Sequence, residues 1–566
     1  MAHGYLLTLE LLESAFGPQG LKVLSDSPQK QTLCSSGKDF IDEFKQVNPL
    51  LTRAAEQTNS LVGDGVKRFL LISMVALLQA KKESSGSHYR EILLQVSKHL
   101  GECDVLTTSI VSGKTSIRNV QKVVFNLKKS LLLTPITDKN ALRSTCLKLI
   151  MTSFGNGCSY MAKRRLKEIL TEMLFPQNSP PCLAEMKEHI RNCLAALSFN
   201  HLLHVPLSVM ETRVAEGFLL DSNLLSEPQL ASGESVITAL LLSGLDLESA
   251  GACVEIRNRS QLQQVVHFQE RFTNRVVQYL VQNNVRLLLC SGKLSAGSLH
   301  TIRGSHIGVV QLIPGEVLVS IAEVNHTYPF SNAVEMIRSG NSSSLIMVKC
   351  SSMDVGRKRY TLLQTSSLSG TSADPYALIL CAPTLAQCHT VMKLMRRALR
   401  VVENWLRSVS ENNELVCVLG GGVWEVELVR EMKNYISTKN LVRGSPEWIA
   451  VDSLIQAFLS VPQALYCNTL PPTRRRSAVV KKLLHHNVFD TSDESLVGID
   501  IIKGCVVNVE ASGVSVWSAL EPAWSTHYLF ASVCKFLAQA LRVDNTVSVP
   551  RLVTESLREL SPDSED

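Results

Sequence analysis

The chain has 566 residues, too many for one core, and at roughly 150 residues per domain it divides into three or four. Hydrophobic residues make up 45% and charged residues 19%, with 30 glycines and 20 prolines, which excludes disordered, collagen-like and low-complexity classes. The net charge of +6, from 57 basic and 51 acidic residues, is too diffuse to point to nucleic acid.

The N-terminus, MAHGYLLTLELLE, has no basic segment and carries Glu10 and Glu13 inside its apolar part, so it does not read as a signal peptide. Tyr5, Leu9, Leu12 and Phe16 lay one apolar stripe along a helix that the pair Gly17-Pro18 should end. Gly63-Asp64-Gly65 then separates two helical stretches, the second with Val66, Leu70, Ser73 and Leu77 on one side. Its apolar run Phe69 to Leu78 includes Ser73 and is far short of the ~20 residues of a membrane span, so no transmembrane segment is expected. Residues 138–175 continue in helical periods, with Lys163, Arg164 and Arg165 expected on a solvated face, up to a loop at Pro176, Pro180 and Pro181.

The middle of the chain changes character. Short β-like runs at Ser235–Leu242, Val285–Leu289, Ile307–Leu312 and Ser344–Val348 alternate with a helical stretch from Ser260 to Gln282, the pattern of a compact α/β domain. Helical spacing returns at Val391, Met395, Ala398, Val402 and Trp405. Tyr466 to Asn468, a polar loop with Pro471, Pro472 and Arg474 to Arg476, and a helix over Tyr528–Leu541 close the chain. Helical ends around a strand-rich centre imply a nested domain order, and no internal repeat is evident.

None of the 15 cysteines forms a CxxC. Cys290, Cys350, Cys381 and Cys417 sit in apolar segments and read as reduced, buried thiols of a cytosolic chain. The sequons at Asn258, Asn325 and Asn341 are then chance matches. His485-His486 beside Asp490 lacks a third ligand at metal-binding spacing and reads as a surface loop. Arg474 to Arg476 with Lys481-Lys482 reads as a solvated loop rather than a localisation patch. No nucleophile-elbow pattern supports a hydrolase.

Three glycine clusters could approach phosphates: Gly17-Pro18-Gln19-Gly20, Gly63-Asp64-Gly65 and Gly420-Gly421-Gly422. An Asp between glycines at a helix start can hold Mg²⁺ while nearby amides face phosphate. Taken singly, each is equally a tight turn or a helix cap, and none fits a Walker A or dinucleotide fingerprint.

Their order resembles group II chaperonin subunits. AFGPQGLKVL is similar to the family's Gly-Pro-x-Gly segment, and VNPLLTRAAEQTNSLVGDG to the helix leading into its Gly-Asp-Gly-Thr. VCVLGGGVWEVEL resembles its triple-glycine segment, and QNNVRLLLCSG with HIGVVQLI its substrate-binding centre. GIDIIKGCVVNV, SGV, Glu521-Pro522 and a helix ending LRVDN resemble its closing stretch. The resemblance implies an α/β multidomain chain. Its parts would be a helical equatorial domain from 1–137 and 412–566, a small intermediate domain from 138–208 and 373–411, and an α/β apical domain from 209–372.

It also implies a nucleotide site of Gly17, Pro18, Gly20, Gly63, Asp64, Gly65, Gly421, Gly422 and Glu521. Asp64 would be the Mg²⁺ ligand and Glu521 the ribose contact, with ATP and Mg as cofactors; whether ATP binds is left open. Asp500 lies in the matching GID segment, where it could equally cap a turn.

The departures bear on function. Val66 and Lys67 follow Asp64-Gly65 where the family has phosphate-contacting threonines, and Ser35-Ser36-Gly37 stands for its Asn-Asp-Gly turn. In RRALRVVENW, Arg397 occupies the position of the Asp that positions the attacking water. An arginine stays protonated and cannot accept a proton, so no catalytic residue is assigned and hydrolysis is expected to be impaired. Two other readings of Arg397 stand: a solvent-facing residue among Arg396 and Arg400, and a phosphate partner that locks a bound state.

Catalytically eroded chains of this kind resemble the McKusick–Kaufman and Bardet–Biedl syndrome chaperonin-like proteins. That implies a non-enzymatic factor assisting assembly of a ciliary trafficking complex, together with conventional group II chaperonin subunits and sibling chaperonin-like proteins. The expected location is cytoplasmic, at the centrosome and ciliary basal body, with no nucleic-acid partner. The alternative is an active ATP-dependent chaperonin subunit. Partner contact is expected on the exposed side of the 261–282 helix, with Gln264, His267 and Glu270.

Overall fold

The computed structural model describes residues 2–21, 23–27, 30–34, 37, 40–41, 49–84, 89–106, 123–127, 130–155, 158–175, 183–197, 202–220, 235–245, 256–339, 344–356, 358–365, 376–410, 414–470, 496–500, 504–509 and 519–543. The expectations for Pro176, Pro180, Pro181, Ser35, Ser36, Asn341 and the 471–490 loop lie outside these residues. The chain forms two compact units. One comprises residues 1–132, 418–517 and 523–566, the other 133–417 and 518–522.

The first unit is helical and built from both ends of the chain. Pro446–Thr469 packs against Val66–Glu83, Tyr89–Glu102 and Val423–Thr438, and Ala523–Ala540 packs on Pro49–Val62, Val66–Glu83 and Tyr89–Glu102. Aromatic rings lock these helices together: Phe458 stacks on Phe530 at 5.5 Å and meets Trp424 edge-on at 5.7 Å, while Phe69 meets Phe536 at 6.1 Å. Val66–Glu83 is buried on more than the single side its spacing predicts, since Phe69, Leu71, Ile72, Met74 and Ala76 join Val66, Leu70, Ser73 and Leu77 inside.

Pro446–Thr469 starts at Ser445, whose hydroxyl accepts the Trp448 N–H, with Pro446 in the first turn. Among the described residues it alone is long and apolar enough to cross a membrane, but 78% of its apolar window is buried in the structure, as in a core helix. The N-terminal helix is Ala2–Ser14. It stops before the predicted Gly17-Pro18 because Leu21 N–H turns back to the Ser14 carbonyl at 2.8 Å, leaving Phe16 buried in the loop.

The second unit includes a helical layer, a three-stranded sheet and a larger sheet. Helices Lys139–Phe154 and Leu183–Ala196 pack on Leu385–Leu406. Asp138 caps the first through the Asn140 and Ala141 amides, and Thr384 caps the last through Gln387. Arg165 departs from the solvated face expected for it. Its guanidinium donates to the Thr212 carbonyl from Nε at 3.2 Å and from a terminal nitrogen at 3.0 Å. Tyr376–Cys381 lies between Leu202–Val205 and Arg213–Glu216 in a three-stranded sheet.

The larger sheet runs in the order Gly308–Val310, Leu287–Cys290, Ser235–Leu241, Leu345–Val355, Lys358–Thr365 and Phe218–Leu220. Its first three strands are parallel and the rest antiparallel. Period-two alternation sorts its side chains: Leu287 and Leu289 join one core with Val317, Leu318 and Ile321, whereas Leu288 and Cys290 join the other with Val276 and Leu280. The strands expected near 235, 285, 307 and 344 and the helix expected from 260 are all present, with ends shifted by up to several residues.

Candidate functional site

Two helices gather the three glycine segments of the first unit. The first is Val66–Glu83, which begins at the Gly63-Asp64-Gly65 turn. Gly63 and Gly65 have φ of 73° and 80°, left-handed values that glycine adopts at no steric cost. A side chain on Gly65 would also press on Leu529, 3.2 Å from its Cβ. Asp64, half-buried, accepts the Gly65 N–H on Oδ1 at 2.6 Å. The first turn of this helix contains no acidic residue, so its opening amides present partial positive charge.

The two positions after Gly65 are occupied in ways that the hydroxyl comparison alone does not anticipate. Val66 is buried at 4% exposure, and its Cβ lies 2.6 Å from where a Cβ on Gly37 would stand. Lys67 reaches across to the first glycine segment. Its Nζ donates to the Ala15 carbonyl at 2.9 Å and lies 5.3 Å from the centre of the Phe40 ring. Next to it, Arg68 pairs with Glu425 in the first turn of Val423–Thr438, Nε to Oε1 3.3 Å.

The second organising helix is Pro446–Thr469. Asn468 near its end donates through Nδ2 to the Glu13 and Phe16 carbonyls, both at 2.8 Å. Leu465 fills the space beside Gly17, whose φ is 76° and whose Cβ would fall 2.6 Å from Leu465 Cδ2. One turn back, Pro462 lies under Gly422, 2.9 Å from the position of a Cβ there. The Gly17-Pro18-Gln19-Gly20 loop is closed by Gly20 N–H to the Gly17 carbonyl at 3.2 Å. A Cβ at Gly20 would collide with the Ala15 carbonyl at 2.4 Å.

Gly421 and Gly422, with φ of 72° and 86°, turn the chain from strand Glu414–Leu419 into helix Val423–Thr438. The Gly421 carbonyl accepts Ile499 N–H at 3.0 Å, which sets Asp500, half-buried at the end of its strand, one residue further on. The recess beside the two glycines is lined by Val426, Pro462, Val497, Gly498, Ile499 and Val506. It is apolar and has room for no more than about one water molecule.

The first unit therefore brings together Gly17, Pro18, Gly20, Gly63, Asp64, Gly65, Gly421 and Gly422. Glu521 and Arg397 belong to the second unit. Glu521 is half-buried in strand Leu520–Pro522, which packs on Lys139–Phe154 and on Leu385–Leu406, the helix that carries Arg397. Arg396, Arg397 and Arg400 are all half-buried rather than solvent-facing, and Arg396 donates to the Leu197 carbonyl at 2.8 Å.

Sequence reading noted Lys67 only as a missing hydroxyl and passed over Arg68, Glu425 and Asn468. A signal was present: two cations in a helix's first turn oppose its dipole by about 0.3–1 kcal/mol each. Their presence without an acidic neighbour in the turn asks for partners elsewhere in the fold.

For a magnesium nucleotide, the donor types fit in part. Among the described residues no group of three or more His, Cys, Asp or Glu side chains could hold a metal. Mg²⁺ in phosphate sites needs only one or two carboxylates beside the phosphates themselves. Asp64 supplies one.

A second exposed feature lies in the α/β part. The N-terminal half of helix Arg259–Gln282 projects from the sheet, with residues 259–268 exposed on every side. Leu262, Val265, Val266 and Phe268 are 43–57% exposed there. Gln264, His267 and Glu270 share that surface, and His267 Nδ1 is 3.3 Å from Glu270 Oε2. By contrast Val285 and Leu287 to Leu289 are core residues.

The chain matches the TCP-1/cpn60 chaperonin family over residues 9–551 and belongs to that family. It is 21% identical over 545 residues to the thermosome subunit alpha of Methanothermobacter thermautotrophicus, covering 95% of this chain and 89% of that one. It is also 23% identical over 402 residues to the mouse BBSome complex assembly protein BBS10, covering 67% of this chain and 55% of that protein.

Proposed function

We propose that this chaperonin-family chain is a non-enzymatic assembly factor in which ATP hydrolysis is lost or strongly impaired. The observation that carries this reading is the start of helix Val66–Glu83. Where the chaperonin pattern places two hydroxyls toward phosphate, Val66 is packed against Gly37 and Lys67 is drawn to the Ala15 carbonyl. Arg397 adds to it. At the position that orients the attacking water it offers a permanent cation, and loss of a positioned base typically costs ~10²–10⁴ in rate.

The glycine-lined site would hold ATP through the backbone of Gly17, Pro18, Gly20, Gly63, Gly65, Gly421 and Gly422. A bound Mg²⁺ on Asp64 would supply charge neutralisation at the phosphates. With the γ-phosphate contacts eroded, nucleotide has little differential affinity to spend on a conformational cycle. The protein then acts as a comparatively static holder.

The three-domain layout belongs to the same reading, with equatorial parts 1–137 and 412–566, intermediate parts 138–208 and 373–411, and apical residues 209–372. So do the partners. The name of the mouse relative supports a role in assembling a Bardet–Biedl ciliary trafficking complex, alongside conventional group II chaperonin subunits and other chaperonin-like proteins. The location would be cytoplasmic, at the centrosome and basal body. Partner contact falls to the projecting half of helix Arg259–Gln282, whose apolar and polar side chains are both available.

A second reading, an active ATP-dependent chaperonin subunit, is favoured by the intact Gly63-Asp64-Gly65 turn and by similarity to the thermosome subunit across 95% of the chain. Steady-state ATP hydrolysis by the pure protein separates the two. Turnover at the level of a conventional subunit, abolished by Asp64→Ala, overturns the assembly-factor reading. Affinity purification with mass spectrometry identifies the partners. Charge reversal at His267 and Glu270 should weaken their capture, while Asp64→Ala should leave it nearly unchanged.

A further inference from the structure

We propose that Ser260 is a phosphorylation site for protein kinases that select an arginine three residues before the acceptor hydroxyl, placed so that its phosphate weakens partner capture. The effect on capture rests on reading the projecting half of helix Arg259–Gln282 as the partner surface, and it adds how that surface is regulated.

The segment reads Arg257-Asn258-Arg259-Ser260. A kinase groove lined with carboxylates recognises such cations by charge and by their spacing from the hydroxyl. Among the described residues the Arg-x-x-Ser/Thr spacing occurs twice, at Ser260 and at Ser410. Ser410 is half-buried, and its Oγ accepts the Glu414 N–H at 3.1 Å. Ser260 is exposed, as is every residue from 256 to 268. The backbone also suits a kinase groove, which takes its substrate extended. Asn258 is already extended, with φ −133° and ψ 152°, and its side chain gives the helix no cap. Gln261 Oε1 accepts the Arg257 N–H at 2.8 Å on this exposed surface. A first turn held from outside by one solvent-facing bond opens at low cost.

In the reaction the γ-phosphoryl group of ATP passes to Ser260 Oγ. The new P–O bond forms there, the bridging bond to the β-phosphate breaks, and ADP leaves. The hydroxyl proton goes to the kinase's catalytic carboxylate. The product alters the charge of the surface it stands on. Ser260, Gln264 and His267 follow one another at i, i+4 and i+7, on one side of the helix. Arg257, Arg259 and Arg271 are exposed along residues 256–271, and Glu270 is the one acid among them. A phosphate brings a charge of about −1.5 to −2, which offsets most of that basic excess. A partner drawn to a basic surface is then held less well.

The test incubates the full chain with ATP and a calmodulin-dependent protein kinase that reads a single arginine at this spacing, followed by peptide mass spectrometry. The native chain should gain phosphate at Ser260, and Ser260→Ala should abolish it. Arg257→Gln should slow the gain by about 10-fold, the loss expected of one charge-assisted contact. Phosphate that enters Ser260 only after denaturation, or at the parental rate in Arg257→Gln, overturns the site. Capture is read by pull-down, with the partner most enriched in affinity purification as the probe. The phosphorylated chain should retain about 3-fold less of it than Ser260→Ala treated in the same way, and equal capture overturns the regulation. The partner surface itself is scored apart, by charge reversal at His267 and Glu270 in the unphosphorylated chain. Unchanged capture in that variant removes the surface, whereas phosphate at Ser260 still decides the modification site.

Discussion

Arg68 and Glu425 form an ion pair across two helix starts, Nε 3.3 Å from Oε1, with the arginine side chain 13% exposed and the glutamate 1%. It ties the turn after Gly65 to the turn after Gly422, so that segments separated by more than half the chain share one rigid junction. Glu425 also sits in the first turn of its own helix, where a negative charge is favourable. Removing one partner leaves a buried charge uncompensated. Glu425→Ala should lower stability by about 3–5 kcal/mol, read as a reduced urea midpoint, and Arg68→Met with Glu425→Leu together should recover most of it. Equal losses in the single and double variants would show that the pair is not coupled.

Gly422 and Gly444 separate strain from crowding. Both have left-handed φ, 86° and 87°, but a Cβ at Gly422 would lie 2.9 Å from Pro462, and nothing stands within 4 Å of one at Gly444. Gly444→Ala should cost only the backbone term of roughly 1–2 kcal/mol. Gly422→Ala should cost clearly more, because Pro462 belongs to a core helix and cannot swing away. Matching melting temperatures for the two variants would contradict the close approach.

Asp452 gives the helical unit a pH signature. Burial raises its pKa, with Glu83 adding to the rise and Gln79, Gln456 and Arg443 opposing it. A carboxyl whose folded pKa is raised contributes stability below its unfolded pKa of about 3.9, and that contribution is lost as pH rises through the folded value. Asp452→Asn should therefore melt higher than the parent at pH 7, with the gain shrinking toward pH ~4. A gain that grows on acidification would reverse the assigned direction.

The buried thiols should be inert. Burial pushes Cys146, Cys193 and Cys290 each up to about 12, so almost no thiolate is present at pH 8. Iodoacetamide labelling of the native protein, followed by peptide mass spectrometry, should leave these three unmodified while denatured protein labels fully. Rapid native labelling of any of them would show that its segment opens.

Much of the fold was legible along the chain because it depends on local periodicity. Leu287 to Cys290 alternate between two cores as a buried strand must, and Val391 through Trp405 follow the spacing of the helix they form. The glycine turns were legible for a similar reason. Positive φ at Gly17, Gly63, Gly65, Gly421 and Gly422 is a property of single residues, so glycine at those positions announces it. The helix ends were less legible, since Ser14 ends its helix through a bond to Leu21 that no spacing reveals.

The sequence by itself determined the order of helical, strand-rich and helical segments, the chaperonin-like motifs, and the absence of hydroxyls after Gly65. Only the tertiary structure decided what replaced them. Lys67 meets a carbonyl 52 residues away, Arg68 meets a carboxylate on a helix far along the chain, and Asn468 ties down a loop 452 residues earlier. Arg165, read from its neighbours as solvated, turns to the Thr212 carbonyl 47 residues on. The physical reason is the same in each case. Periodicity and turn chemistry are short-range and repeat along the chain, whereas a long charged or amide side chain can satisfy any acceptor within its reach. Which acceptor that is depends on how distant segments pack.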